Sequence, residues 1–154
     1  MKDTYEEWSL LVSFDIKIIN GDISIARDGS IDTVFDNDKL RQDILKILLT
    51  KIGENKYHPS YGSKAGSLEI GSVPDKDLLE LDLQSSAEDS IRYLIRAQAN
   101  QQKYQYLTPG EVIAGIKNIA VERNFNDPRV YNIYISVYTK KLTVITESIP
   151  VRII

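Results

Sequence analysis

Asp127-Pro128-Arg129 is the tripeptide of this chain with the sharpest chemical content. Proline holds its own φ near about −65° and pushes the residue before it into extended backbone. Asp127 and Arg129, two positions apart, therefore project from the same side of a starting strand as a rigid polar clamp. The Arg129 guanidinium is a planar fork matched to a carboxylate, either within the chain or on a partner. The first arrangement is an internal ion pair that orients the strand; the second is a direct intermolecular contact, and the sequence leaves both open. His58 is the single histidine and cysteine is absent, so a site of three or four convergent nitrogen and sulfur ligands cannot be assembled, and no disulfide can form. The nucleophile elbow, the phosphate loop and the dinucleotide fingerprint are all missing, because Gly53, Gly62, Gly66 and Gly71 do not have those spacings. These glycines read as turn formers, with Gly62 also a place where a partner's backbone could approach closely. Nine tyrosines against one tryptophan and three phenylalanines suit surfaces that meet other surfaces. Tyr131, Tyr134 and Tyr138 stand on one predicted strand.

The elements that must position these residues follow from periodicity. Leu40, Ile44, Ile47 and Leu48 fall at i, i+4, i+7 and i+8, the stripe of an amphipathic helix, and Gly53 ends it. Asp36, Asn37 and Asp38 offer cap oxygens before it, and acids there complement the helix dipole. The loop behind it carries Glu54, His58, Tyr61 and Gly62. Upstream, Ser13–Ile19 alternates, and 22–26 and 30–34 flank an Asp28-Gly29 turn, which predicts an N-terminal β-meander. Between Pro74 and Leu107 no glycine or proline intervenes, so one long helix or two broken near Ser85 is expected, with Ser86 and Asp89 as a capping box. Thr108-Pro109-Gly110-Glu111 has helix-starting order and predicts a short helix running to about Ala120, its last turn open to strand because of its β-branched residues. Val130–Tyr138 alternates Tyr131, Ile133, Ile135 and Val137 against Tyr134 and Tyr138. A turn at 139–141 returns the chain through 142–145, and the tail from Ser148, with Pro150 inside it, is an edge element or one that a partner completes.

The expected fold class is therefore α+β: an N-terminal β-meander, two to four helices, and a C-terminal antiparallel hairpin in a small mixed sheet with an open edge. Residues 13–147 form one domain, 1–12 an N-terminal arm in which Glu6, Glu7 and Trp8 could dock on a neighbour, and 148–154 a C-terminal tail. A length of 154 residues suits one core. Well-mixed charge with a net of −3 gives no footprint for nucleic acid. No apolar run approaches a membrane span, and the acidic start of the chain is unlike a signal peptide.

Read in order, GDI (21–23), DGSI (28–31), LRQDI with LLT (40–50), GE (53–54), PSYG (59–62) and DPR (127–129) resemble a family of phage tail proteins, the T4-type baseplate wedge proteins that initiate the contractile sheath. Relatives of that family include a baseplate subunit of type VI secretion systems. The resemblance spans roughly 21–137, with Asn55 where the family often has arginine and Asp127 where it has glutamate. It implies a virion protein, assembled in the host cytoplasm and present in multiple copies around the tail axis. The implied partners are the tail sheath protein, other wedge proteins and the tail tube, with neither membrane nor cofactor. Sheath formation would be templated by unpaired backbone along 130–145. The expected contact residues are Asp127, Pro128, Arg129, Tyr131, Tyr134, Tyr138, Glu54, Tyr61 and Gly62.

The same family has carried a lysozyme-like label, which sets an enzymatic alternative beside the structural one. Glycoside hydrolysis needs two carboxyls about 5–10 Å apart across a sugar cleft. Glu54 as acid and Asp127 as its partner are the candidates. The competing reading is a loop glutamate paired with a cation. A third possibility is a cytosolic adaptor built on the same fold.

Overall fold

The computed structural model describes residues 13–67 and 75–153. The expected arm over 1–12, Gly71 and the last residue of the tail lie outside them. The element order is β1 (Asp15–Ile16), β2 (Ile18–Ile19), β3 (Asp22–Ile23), β4 (Thr33–Val34), α1 (Asp36–Leu49), a short 3-10 turn (Lys64–Ser67), α2 (Lys76–Gln101), β5 (Ile113–Arg123), β6 (Val130–Thr139) and β7 (Val144–Arg152). The fold is α+β: two helices cover one face of a three-stranded antiparallel sheet of order β5-β6-β7, with the meander as a separate small ribbon.

The apolar stripe of α1 is where the spacing put it, with Leu40, Ile44, Ile47 and Leu48 fully buried. Leu83, Ala87 and Ile91 of α2 meet them, and Tyr131, Ile133, Ile135 and Val137 of β6 close the core from below. Alternation along β6 is the cause, because successive side chains leave opposite faces of a strand. The long glycine-free stretch is one helix of 26 residues, capped by Asp75, whose carboxylate accepts from the Asp77 amide at 3.0 Å. Ser86 and Asp89 do not start a second helix. The Ser86 hydroxyl instead accepts from the Lys64 amide at 2.8 Å, and Ser90 donates to the Gly62 carbonyl at 2.8 Å, so the α2 serines hold the loop behind α1.

The predicted helix from Pro109 is overturned. Half of the capping box does form: the Glu111 carboxylate accepts from the Thr108 amide at 2.6 Å. After this one turn the chain becomes β5, because Ile113 and Ile119 bury against the helices while the backbone of β5 pairs with β6. A β-rich stretch with an unpaired strand beside it gains more from the ladder than from a last helical turn. The α1 cap also differs from expectation. Phe35 holds the N-cap position without a side-chain bond, and Asp36 reaches away to the Thr108 hydroxyl at 2.8 Å and Lys141 at 3.3 Å. Burial opposes its ionisation, yet these donors hold the Asp36 carboxyl below its usual range.

The meander is smaller than its alternation implied. β1 pairs with β4 and β2 with β3, two residue pairs each, and the Ile25–Ile31 bridge closes over the expected Gly29 turn. Asn20-Gly21, both at positive φ (52° and 83°), makes the tight turn between β2 and β3. Alternation here does not bury the apolar set: Phe14, Ile18, Ile23, Ile25 and Ile31 are all exposed. Gln42 of α1 tethers the ribbon through its side chain, accepting from the Ile18 amide at 2.9 Å and donating to the Ile16 carbonyl at 2.7 Å.

Leu142, at the tip of the β6–β7 hairpin, has φ 65° and is 91% exposed. Leu142→Gly should therefore raise stability by about 0.5–1 kcal/mol, since relief of the left-handed strain exceeds the extra freedom glycine brings to the unfolded chain. Chemical denaturation midpoints at unchanged slope are the measurement; an unchanged or lower midpoint contradicts it.

Candidate assembly surface at the ends and edges of the sheet

Two backbone bonds fix which groups of the sheet are spoken for. The Thr139 amide donates to the Thr143 carbonyl and the Ile153 amide to the Arg129 carbonyl, both at 2.9 Å. With the unbroken register from Val130↔Arg152 to Tyr138↔Val144, odd-numbered residues of β6 and β7 are the hydrogen-bonded pairs of this ladder. On the other side the Asn124 amide donates to the Val130 carbonyl at 2.8 Å, so even-numbered residues of β6 bond to β5. β6 is thus the central strand, satisfied on both sides. The expectation of unpaired backbone along 130–145 fails for 130–139, because the expected helix is the strand that fills that side.

The open edges are β5 and β7. Backbone groups of Val144, Thr146, Ser148, Pro150 and Arg152 turn away from β6. Pro150 stands opposite Asn132 in a pair that exchanges no hydrogen bond, so its missing N–H removes nothing from the ladder. The tail read as an edge element is paired to Arg152. Each edge has one carbonyl covered by a helix: Arg41 of α1 donates to the Thr146 carbonyl at 3.2 Å and forms an ion pair with Glu147, while Gln84 of α2 donates to the Ile119 carbonyl at 3.1 Å. β5 also carries two register shifts near Gly115 and Lys117. Bulges and covered carbonyls blunt an edge. From Ser148 to Arg152, β7 is in unbroken register with β6, and among the described residues no side chain covers its outer backbone groups.

At one end of these strands lies the DPR turn. The Asp127 carboxylate accepts from the Arg129 amide at 3.0 Å and Nε at 3.3 Å, and its other oxygen from Arg152 of β7 at 3.2 Å. The Arg129 amide, then its guanidinium, hold the Asp127 carboxyl below its usual range. The internal ion pair is thus present, and the Arg129 side chain keeps 63% of its surface in solvent. The Pro128 carbonyl accepts from Arg123 Nε at 3.0 Å.

The remaining predicted contact residues divide by burial. Tyr131 is 1% exposed, in the core beneath the helices, which withdraws it from any surface another chain can reach. Tyr134 and Tyr138 are on the outer face, where Lys117 Nζ stands 5.9 Å from the Tyr138 ring centroid. Tyr61 packs edge-on against Tyr93 of α2, centroids 6.0 Å apart. Gly62, at φ 124°, is buried, and a Cβ there would lie 2.7 Å from the Thr50 carbonyl oxygen and 2.9 Å from the Ile52 nitrogen. The close approach it permits is to its own chain and not to a partner. Glu54 is exposed on the same loop, and among the described residues no cation stands within 4.0 Å of it, so the expected ion pair is not made. A cavity of about 240 Å³ nearby is lined by residues that include Ile52, Ser60, Lys64, Asp82, Tyr93 and Arg96, without Glu54 or Asp127. His58 Nδ1 is 3.5 Å from the Tyr93 hydroxyl. Among the described residues no group of three metal-binding side chains converges, and no helix is long and apolar enough to cross a membrane.

Sequence reasoning missed a chain of charges that is buried at Glu111 and Lys39 and reaches partly exposed Lys46 and Asp15. Glu111, fully buried, places Oε2 3.2 Å from Lys39 Nζ, off the hydrogen-bonding direction; Lys39 pairs with Asp43 at 2.9 Å, Asp43 with Lys46 at 2.9 Å, and Lys46 with Asp15. Lys39, Asp43 and Lys46 sit at i, i+4 and i+7 of α1, a spacing visible in the sequence; Glu111 and Asp15 reach them only in the folded chain. Gln98 of α2, buried, donates to the Glu111 carbonyl at 2.7 Å and accepts from the Ile113 amide at 2.9 Å, fastening the start of β5.

No described protein family and no curated protein matches the sequence. Among solved structures the chain is similar to a "putative tail lysozyme" from Geobacter sulfurreducens, with a TM-score of 0.54 at 14% identity over 76% of this chain and 90% of that one. The fold is shared with that protein. At that identity the likeness carries the fold and no residue roles.

Proposed function

We propose that this protein is a structural, non-enzymatic subunit of a contractile-tail baseplate wedge, resident in the virion tail, that starts sheath polymerisation by accepting a strand along β7. The observation that carries the reading is the outer edge of β7 from Ser148 to Arg152, left uncovered among the described residues at the margin of a sheet whose inner face the helices bury. A strand laid there gains main-chain hydrogen bonds, and the alternating outer side chains set its register. The fold shared with the "putative tail lysozyme" supports the setting. Copies arranged around a tail present their edges together, so that weak single contacts act as one ring. Its partners in this reading are the sheath protein, the other wedge proteins and the tube, and no cofactor takes part.

Ser148→Pro tests it, because proline there removes an outward N–H and no bond to β6. Tails carrying this variant should form baseplate and tube yet lack attached sheath in electron micrographs; sheathed tails at wild-type frequency refute the role of the edge. The glycosidase alternative draws on the name of the structural neighbour. In this chain its two carboxyls sit on separate loops, with Asp127 engaged by Arg129 and Arg152.

A further inference from the structure

The meander carries more apolar surface than a two-stranded ribbon with no core of its own normally leaves open. Ile25 is 68% exposed, Phe14 59%, Ile31 55% and Ile23 50%. Surfaces of this kind, rimmed by polar groups, are sites of association. The rim is acidic: six aspartates against Lys17 and Arg27 within residues 13–38, a formal −4. Asp15 is engaged by Lys46 and Asp36 by Lys141; among the described residues no cation pairs with Asp22, Asp28, Asp32 or Asp38, although Ser30 donates to Asp28 and Ser24 to Asp32. Two such ribbons would repel each other. The complementary surface must be apolar and cationic.

The chain carries that surface on its opposite end. Phe125, at the tip of the β5–β6 loop, is 100% exposed; at the same end of the sheet Arg123 donates to the Pro128 carbonyl, and Arg129 and Arg152 share the carboxylate of Asp127. Glu122 leaves the opposite face of β5 from Arg123, by the alternation of the strand. The meander joins α1 at Phe35-Asp36, which Lys141 ties to the far hairpin, so the ten residues of β6, roughly 30 Å, separate that junction from the Phe125 loop. The hairpin tip, with Leu142 exposed beside Lys140 and Lys141, is the weaker counterpart, since it offers two cations, one of them paired with Asp36, against three guanidiniums of which two share one carboxylate.

We infer that copies of this chain associate head to tail, the Phe125 loop and its guanidiniums of one copy seating on the acidic apolar meander of the next. This goes beyond the tail reading and stands without it. An interface between two different patches closes into a ring or extends as a filament, and cannot stop as a symmetric dimer.

The test is sedimentation velocity on the full chain at low salt, with Phe125→Ser and Ile25→Ser variants whose folding is checked by circular dichroism. Wild type should associate with rising concentration, and less so at high salt because the contact is charged. Each variant alone should be at least tenfold weaker in association. Mixed one to one, the two variants should form a dimer and nothing larger, because each retains one good patch. The inference is overturned if wild type stays monomeric, if the mixture forms no dimer, or if Leu142→Gly abolishes association while Phe125→Ser does not.

Discussion

Ile149→Pro should unfold this protein, whereas Ser148→Pro, one position away, should leave it folded. The difference follows from the ladder. Ile149 pairs with Ile133 at an odd-numbered, hydrogen-bonded position, so proline deletes a bond to the central strand, and it also removes a side chain that is 2% exposed. Leaving a buried ladder group of β6 unsatisfied costs about 1–3 kcal/mol, and truncating a buried isoleucine adds about 2–5 kcal/mol. Together these approach the whole stability of a domain of this size. Ser148 pairs with Tyr134 without exchanging hydrogen bonds, as Pro150 does with Asn132, and its side chain is exposed. Thermal unfolding followed by circular dichroism should show no cooperative transition for Ile149→Pro and a midpoint within a few degrees of wild type for Ser148→Pro. Equal loss in both would mean that the register places the wrong groups on the outer edge, and the β7 assembly proposal would lose its basis.

Lys39→Met should be the costliest substitution of a charged residue, at about 3–5 kcal/mol, since it leaves a buried carboxylate without its cation. Glu111 has 1% of its side chain in solvent, and its second oxygen has Lys39 alone for company. Replacing Lys39 and Glu111 together, by Met and Gln, should recover much of that loss, and denaturant midpoints of the three variants measure the coupling. An exposed-pair value below about 1 kcal/mol for Lys39→Met would contradict the burial of this network.

The same network sets the pH response. Burial opposes ionisation of Asp15, but hydrogen bonds from Lys46 and Gln42 outweigh it and lower its pKa, so its contribution is present above the ordinary carboxylate value of about 3.9 and disappears as pH falls through the lowered one. Burial likewise disfavours the charged form of Lys39 and Lys46. Asp43 and Glu111 around the first, and Asp15 and Asp43 around the second, raise both pKa values above the ordinary lysine value. That contribution is complete below about 10.4 and disappears as pH rises through the raised values.

The residues that form α1 and β6 were legible because their partition into core and solvent is a property of local spacing. Leu40, Ile44, Ile47 and Leu48 fall on one side of a helix by geometry alone, and Tyr131, Ile133, Ile135 and Val137 on one side of a strand. The Asp127–Arg129 pair was legible for the same reason, since two residues flanking a proline have little freedom to part. Asn20-Gly21 is a local signal of the same kind, for an Asn-Gly pair between alternating residues marks a two-residue hairpin.

The sequence by itself determined the α+β class, the main helix, the central strand and the clamp at its start, all of which rest on neighbours within a few positions. Only the tertiary structure decided that 113–123 is a strand and that β6 is enclosed on both sides while β7 is the margin. It also decided that Tyr131 is core and that Gly62 yields to its own backbone. Each of these depends on what a distant segment places alongside: β6 beside Ile113–Arg123, the helices over Tyr131, Thr50 against Gly62. Local preference for helix or strand differs by tenths of a kcal/mol per residue, and burial and ladder bonds formed with such distant segments outweigh it.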